Sequence, residues 1–133
     1  SPCVYYGDEA GLEGFEDPFN RGGFPWGRED ADLTDWYAKL GGLRRELAAL
    51  QTGDIEYLAA KGPLLAFARV QDKERAVALT NAGPEPVPFE TPWPGRRTVT
   101  DAMTGAVYPV KNGVLTVTVP GETGMLLTAV KKP

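Results

Sequence analysis

The sequence predicts a mainly β protein, an antiparallel β-sandwich preceded by one helix. Three observations carry this. Beyond residue 55 the apolar residues recur at every second position, in short runs separated by turn residues. Asn112-Gly113 falls between two such runs, and both central positions of a two-residue type I′ hairpin need positive φ. Upstream, Trp36, Leu40, Leu43, Leu47 and Leu50 follow the 4-3-4-3 spacing that marks one face of a helix over residues 34–51.

Residues 1–30 come before any period sets in. They are rich in glycine, proline, aromatics and acids. Residues 4–6, Val-Tyr-Tyr, read as a short buried strand ended by Gly7, and the text from there to Arg28 reads as loop. A structureless loop of about 20 residues is uncommon inside a compact domain and is usually functional when ordered. Thr34 or Asp32 is placed to cap the helix, and Gly53 to end it. Gly41-Gly42 costs this helix about 1 kcal/mol per glycine relative to alanine, so its leucine face needs cover, expected on the sandwich.

The strands are predicted at residues 63–70, 75–80, 97–101, 106–110, 114–119 and 125–130. In the first, Leu64, Ala66, Ala68 and Val70 share one side, with Leu65, Phe67 and Arg69 on the other. In 114–119, Leu115, Val117 and Val119 alternate with Val114, Thr116 and Thr118, as a half-buried strand does. Pro84, Pro86 and Pro88 confine their stretch to a sheet edge or a loop.

Composition excludes several functions. The 133 residues carry 14 basic and 18 acidic side chains, a net charge of −4, with no block of one sign. That argues against a nucleic-acid or polybasic membrane surface. The apolar runs are far shorter than the roughly 20 residues that span a bilayer. Histidine is absent, which removes the commonest general base and zinc ligand. Cys3 is the single cysteine, so no disulfide forms within the chain; it reads as an inert buried thiol. No cofactor and no metal are expected.

The informative text is Pro2-Cys3-Val4-Tyr5-Tyr6-Gly7-Asp8-Glu9-Ala10-Gly11-Leu12-Glu13-Gly14, then Asp17-Pro18-Phe19-Asn20-Arg21, then Phe24-Pro25-Trp26. It closely resembles the last barrel-strand region of the alpha-amylase family of glycoside hydrolases, most of all the neopullulanase, cyclomaltodextrinase and maltogenic-amylase group. Trp36-Tyr37-x-x-Leu40-x-x-Leu43-Arg44 is similar to the helix that follows that strand. Gly41-Gly42 departs from the family, which usually has a bulky aliphatic there. The resemblance covers nearly the whole chain; its first thirty residues are specific, and the β region is generic.

The resemblance implies two regions. Residues 1–52 would be a remnant of a (β/α)₈ barrel (strand 8, substrate loop, helix 8), and residues 53–133 the C-terminal β-sandwich. Active sites of such barrels lie at the C-terminal ends of the strands, so the loop after Gly7 would line a glucan cleft. Asp17 and Arg21 match the family's Asp-x-x-x-Arg pair, which hydrogen-bonds sugar hydroxyls; pairing only with each other is the competing role. The family's nucleophile, acid/base and third essential carboxylate lie on earlier strands. The chain is therefore expected to be an inactive C-terminal piece of a retaining hydrolase of α-glucosidic bonds.

Other candidates have plainer readings. Asp8-Glu9 is not a catalytic pair, because adjacent residues at a strand end point apart and retaining chemistry needs facing carboxyls about 5–5.5 Å apart. Asp8, Glu9, Glu13, Glu16 and Asp17 lack the spacing of a calcium loop. Tyr5 and Tyr6 suit barrel packing, and Trp36 and Tyr37 a helix core. Phe19, Phe24 and Trp26 suit either sugar stacking or loop anchoring. Trp93 suits edge packing, or an exposed sugar platform if the piece is instead a carbohydrate-binding or oligomerising module. The expected partners are α-glucan oligosaccharides, with self-association through the orphaned barrel remnant, which is expected to be disordered, re-docked or paired with a neighbour. The location expected from the resembled group is cytoplasmic.

Overall fold

The computed structural model describes residues 2–129, so Val130, the end of the last expected strand, lies outside them. Helix α1 spans Ala31–Glu46 and helix α2 spans Ala48–Thr52. Eight strands follow: β1 (Asp54–Lys61), β2 (Leu64–Gln71), β3 (Glu74–Asn81), β4 (Val87–Pro92), β5 (Thr98–Asp101), β6 (Val107–Lys111), β7 (Val114–Val119) and β8 (Thr123–Thr128). All pair antiparallel, in the order β1-β2-β3-β8-β5-β6-β7-β4. The chain divides into two compact units at the Arg44–Arg45 junction.

The unit beginning at Arg45 holds the sandwich. Its core draws Leu64, Ala66 and Ala68 from β2, Val77 and Leu79 from β3, and Met125 and Leu127 from β8. Against these sit Phe89 of β4 and Leu115, Val117 and Val119 of β7, with Trp93 and Val99. Every second residue of β2 and β7 therefore points inward, as the period of two predicts. Each large aliphatic buried this way contributes about 1.5–3 kcal/mol. Asn112 and Gly113 have φ of 52° and 76°, so the β6–β7 turn takes the left-handed conformation expected of this dipeptide. β4, which carries Pro88 and Pro92, ends the strand order, where proline's missing donor costs no ladder bond.

Two buried polar side chains hold the connections. The Asn81 amide nitrogen donates to the carbonyls of Glu85 (2.8 Å), Pro120 (3.0 Å) and Val119 (3.3 Å), and its oxygen accepts the Gly83 N–H at 3.0 Å. This ties the segment leaving β3 to the end of β7. The Asp101 carboxylate accepts the backbone N–H groups of Met103 (3.0 Å) and Leu126 (3.1 Å) and the Thr104 hydroxyl (2.6 Å). It thereby shapes the turn after β5 and clamps it to β8.

The helix differs from expectation. It begins at Ala31, and Asp30 caps it by accepting the Leu33 N–H at 3.0 Å, in place of Thr34 or Asp32. It runs through Gly41-Gly42 but breaks at Leu47, whose φ of −107° and ψ of 107° are extended. The expected leucine face is thus split. Trp36 and Leu40 are exposed and no residue of α1 is buried, whereas Leu47 and Ala49 past the break are buried. α2 rests on β2 and β3, its start capped by Glu74 of β3, which accepts the Ala49 N–H at 2.5 Å. Gly53 follows because β2 passes close by: a Cβ there would lie 2.5 Å from the Ala49 oxygen and 2.8 Å from the Val70 oxygen.

Residues 4–6 form no strand; Val4, Tyr5 and Tyr6 are about half exposed. Among the described residues no neighbouring strand takes up their ladder groups, and the Tyr5 carbonyl instead accepts the local Asp8 N–H. Tyr5 and Tyr6 stack edge-on at 4.6 Å and are not packed in a core. Cys3 is exposed, not buried, for the same reason.

Replacing Asn81 by aspartate sets a carboxylate oxygen against carbonyls that now receive N–H donors. The expected loss is about 3 kcal/mol of unfolding free energy at neutral pH, read by urea denaturation. A loss under about 1 kcal/mol would show that these bonds do not hold the fold.

Candidate functional site

The loop between residues 10 and 30 is drawn together at its ends. A single 3-10 turn, Asp8–Ala10, is flanked by Gly7 and Gly11 at φ of 82° and 71°. The Asp30 N–H donates to the Ala10 carbonyl at 3.0 Å. Thr34, expected as a cap, instead donates its hydroxyl to the carbonyls of Glu9 (3.1 Å) and Asp30 (2.9 Å). Gly11 is required twice over, since its φ is left-handed and a Cβ would meet that of Asp30 at 3.0 Å. The Asp8 carboxylate accepts the Tyr5 N–H at 3.0 Å, so it orients this corner.

Within the loop, two tight turns follow one another. The Phe19 N–H donates to the Glu16 carbonyl at 2.8 Å and the Arg21 N–H to the Pro18 carbonyl at 3.1 Å, around a cis Asp17–Pro18 bond. This folding brings the two side chains singled out by sequence together: Arg21 Nε lies 2.7 Å from Asp17 Oδ1. Both remain well exposed, at 59% for Arg21 and 61% for Asp17. An exposed pair of this kind contributes only about 0–1 kcal/mol to folding. A guanidinium carries five donors and a carboxylate two acceptor oxygens, so one contact leaves most of that capacity for another partner.

A further turn lies beyond these two. The Trp26 N–H donates to the Phe24 carbonyl at 2.9 Å and the Arg28 N–H to the Pro25 carbonyl at 2.8 Å, with Gly27 at φ 73°. The backbone N–H of Glu29 itself, then those of Gly27 and Arg28, hold the Glu29 carboxyl below the usual carboxylate range. The sequence reading missed this role, and a lone glutamate after Gly-Arg offers no signal for it.

The remaining candidates separate clearly. Trp93 is buried at 3% exposure, under the Arg75 guanidinium at 5.8 Å, so it is a core residue and no sugar platform. Phe15, Phe19 and Trp26 are exposed, and Phe24 is half-buried beneath Trp26. Among the described residues no three acidic or cysteine side chains converge to hold a metal. No helix among them is long and apolar enough to cross a membrane.

Known proteins match this chain along nearly its whole length. An amylopullulanase of Thermoanaerobacter thermohydrosulfuricus is 38% identical over 140 aligned positions, covering 95% of this chain and 10% of the enzyme. Neopullulanase 2 of Thermoactinomyces vulgaris is 35% identical across 96% of this chain and 23% of its own length. The crystal structure of an Anoxybacillus alpha-amylase superposes with a TM-score of 0.83 at 30% identity, over 96% of this chain and 29% of that one. The chain thus spans a quarter or less of the curated relatives it matches here. No family model matches it. Along nearly its whole length the chain is thus similar to one part of alpha-amylase family glycoside hydrolases, among them enzymes named amylopullulanase, neopullulanase and cyclomaltodextrinase.

Because backbone N–H groups hold the Glu29 carboxyl low, it should stay ionised as pH falls below the ordinary glutamate value near 4.3, and any support it lends the turn is lost only as pH falls through the lowered value. A carbon-detected NMR titration should find Glu29 titrating below that value, with Glu29→Gln removing the pH dependence of amide exchange at Gly27 and Arg28.

Proposed function

We propose that this chain is the C-terminal portion of an α-glucan-cleaving hydrolase, and that Asp17 and Arg21 bind the sugar beside the scissile bond. The observation that carries the reading is the match to neopullulanase 2 along 96% of this chain and only 23% of that enzyme. On this view residues 1–52 belong to the closing segment of a catalytic (β/α)₈ barrel and residues 53–133 to an accessory sandwich. A complete barrel takes about 250 residues. The carboxylates of a retaining mechanism would be supplied by the rest of it.

The chemistry of the pair suits the task. Asp17 accepts from vicinal hydroxyls while Arg21 donates, and their turn fixes both before sugar arrives. The exposed side chains of Val4, Tyr5, Tyr6, Leu33, Trp36 and Leu40 support the presence of further barrel structure beside them. In its absence they favour self-association of the chain. A cytoplasmic location belongs to the same reading.

The 133-residue chain, purified free of host amylase, should release no reducing sugar from starch, pullulan or cyclodextrins; measurable cleavage would overturn the division of labour. In an enzyme rebuilt from the coding sequence upstream of Ser1, Asp17→Asn or Arg21→Ala should lower kcat/KM about 10- to 100-fold. That is the loss of a charge-assisted hydrogen bond of about 1.5–3 kcal/mol. Unchanged kinetics in both variants would reduce the pair to a loop brace.

A further inference from the structure

We propose that Trp26 is a stacking platform for a glucosyl ring of an α-glucan lying along the Asp17–Arg21 loop. The inference rests on the substrate role of that loop and adds a residue to it. Trp26 is 81% exposed, yet its mounting is firm. Its own N–H and that of Arg28 close the turn from Phe24 to Arg28. Its ring lies 4.5 Å from that of Phe24, tilted by 49°. Phe24 is half-buried and passes 3.6 Å from the Cβ position of Gly7.

The same base carries the acid–base pair. Leu12 lies 3.2 Å from the Cβ position of Gly7 and 3.9 Å from that of Gly22, which adjoins Arg21. The turn holding Trp26 and the turn holding Arg21 are thus seated on one small support, Gly7 and Leu12.

The charged residues of its loop indicate what it takes. Arg28, Glu29 and Asp30 follow it after Gly27 in the chain, and Glu13, Glu16, Asp17 and Arg21 share its loop. Docking a flat apolar protein face here would strip water from these charges, which is costly without matched partners. A pyranose presents an apolar C–H face rimmed by hydroxyls, so it fits an indole set among charged donors and acceptors. The exposed apolar residues of α1 differ: Leu33, Trp36 and Leu40 stand at helical spacing and form a continuous stripe suited to protein cover.

The test is a titration of the 133-residue chain with maltoheptaose, followed through the indole N–H resonances of Trp26, Trp36 and Trp93. The Trp26 signal should move with saturation while that of buried Trp93 stays. Trp26→Ala should weaken binding at least tenfold and Trp26→Phe by less, with the sandwich spectrum unchanged in both. If Trp26→Ala binds as the parent chain does while the Asp17→Asn, Arg21→Ala double variant does not, the platform is overturned and the loop's substrate role stands. If Trp26→Ala fails and the double variant binds normally, the platform stands and the role of the pair falls. No binding at tens of millimolar maltoheptaose, or equal binding of a β-linked cello-oligosaccharide, overturns the proposal.

Discussion

The Asn81 carboxamide is the interaction on which the sandwich depends. β3 lies within the β1-β2-β3-β8 half of the strand order, and the next strand, β4, ends the other half beside β7. The chain must therefore leave one half and start the other, exposing unpaired backbone at the crossing. Asn81 meets much of that need, donating to Glu85, Val119 and Pro120 and accepting from Gly83, while Ala82 pairs with Pro63 and Gly83 with Glu122 through the backbone. A side chain lacking both functions would leave buried groups unpaired, and each such group is costly. Asp101 does the same work at the β5 turn through three accepted bonds. The apolar core supplies the driving force, and these two groups fix which connection it closes around.

The unit before Arg45 is built on a different basis. Its buried described residues are Gly7 and Ala10, and no residue of α1 is buried. Hydrogen bonds shape it: Asp30 to Ala10, Thr34 to Glu9, and the turns around Asp17-Pro18 and Trp26. Such bonds specify geometry but contribute little net stability where water competes for them. A segment with many exposed backbone bonds and few buried apolar contacts sits at the low-stability end of a protein, where binding loops are commonly found.

Much of this was legible in the sequence, and the limits have physical causes. Period two located β2 and β7 because each turns every second residue into the core, whereas β3 and β8, paired on both sides, bury neighbouring residues and read as short apolar runs. Asn112-Gly113 announced its hairpin because positive φ at two successive residues admits few alternatives. The helix misled because its leucine spacing runs unbroken through Leu47, while the break is set by where β2 and β3 receive α2, with Glu74 of β3 capping its start. Asp30 as cap lay outside the periodic segment altogether. Residues 4–6 have a strand's composition, but a strand exists only with a partner, and none is at hand. In the site, the i, i+4 meeting of Asp17 and Arg21 is the pairing that the sequence offered as the role competing with sugar contact, whereas the lowering of the Glu29 carboxyl by nearby backbone N–H groups depends on directions that composition does not encode.

The distribution of polar groups then separates structure from function. Buried Asn81 and Asp101 engage several partners each, and their arrangement is explained by folding. Asp17 and Arg21 are exposed and share one close contact, and such a pair adds too little stability for folding to demand its geometry. The loop nonetheless presents them on two consecutive turns, beside Gly14, where a Cβ would lie 3.0 Å from the Asn20 Cα. Trp26 follows the same pattern, since a firmly mounted indole left in water forgoes the burial that an aromatic core residue such as Trp93 obtains. On the proposed reading, geometry that stability does not require serves a partner, and the donors, acceptors and aromatic face of this loop are what a sugar chain would meet.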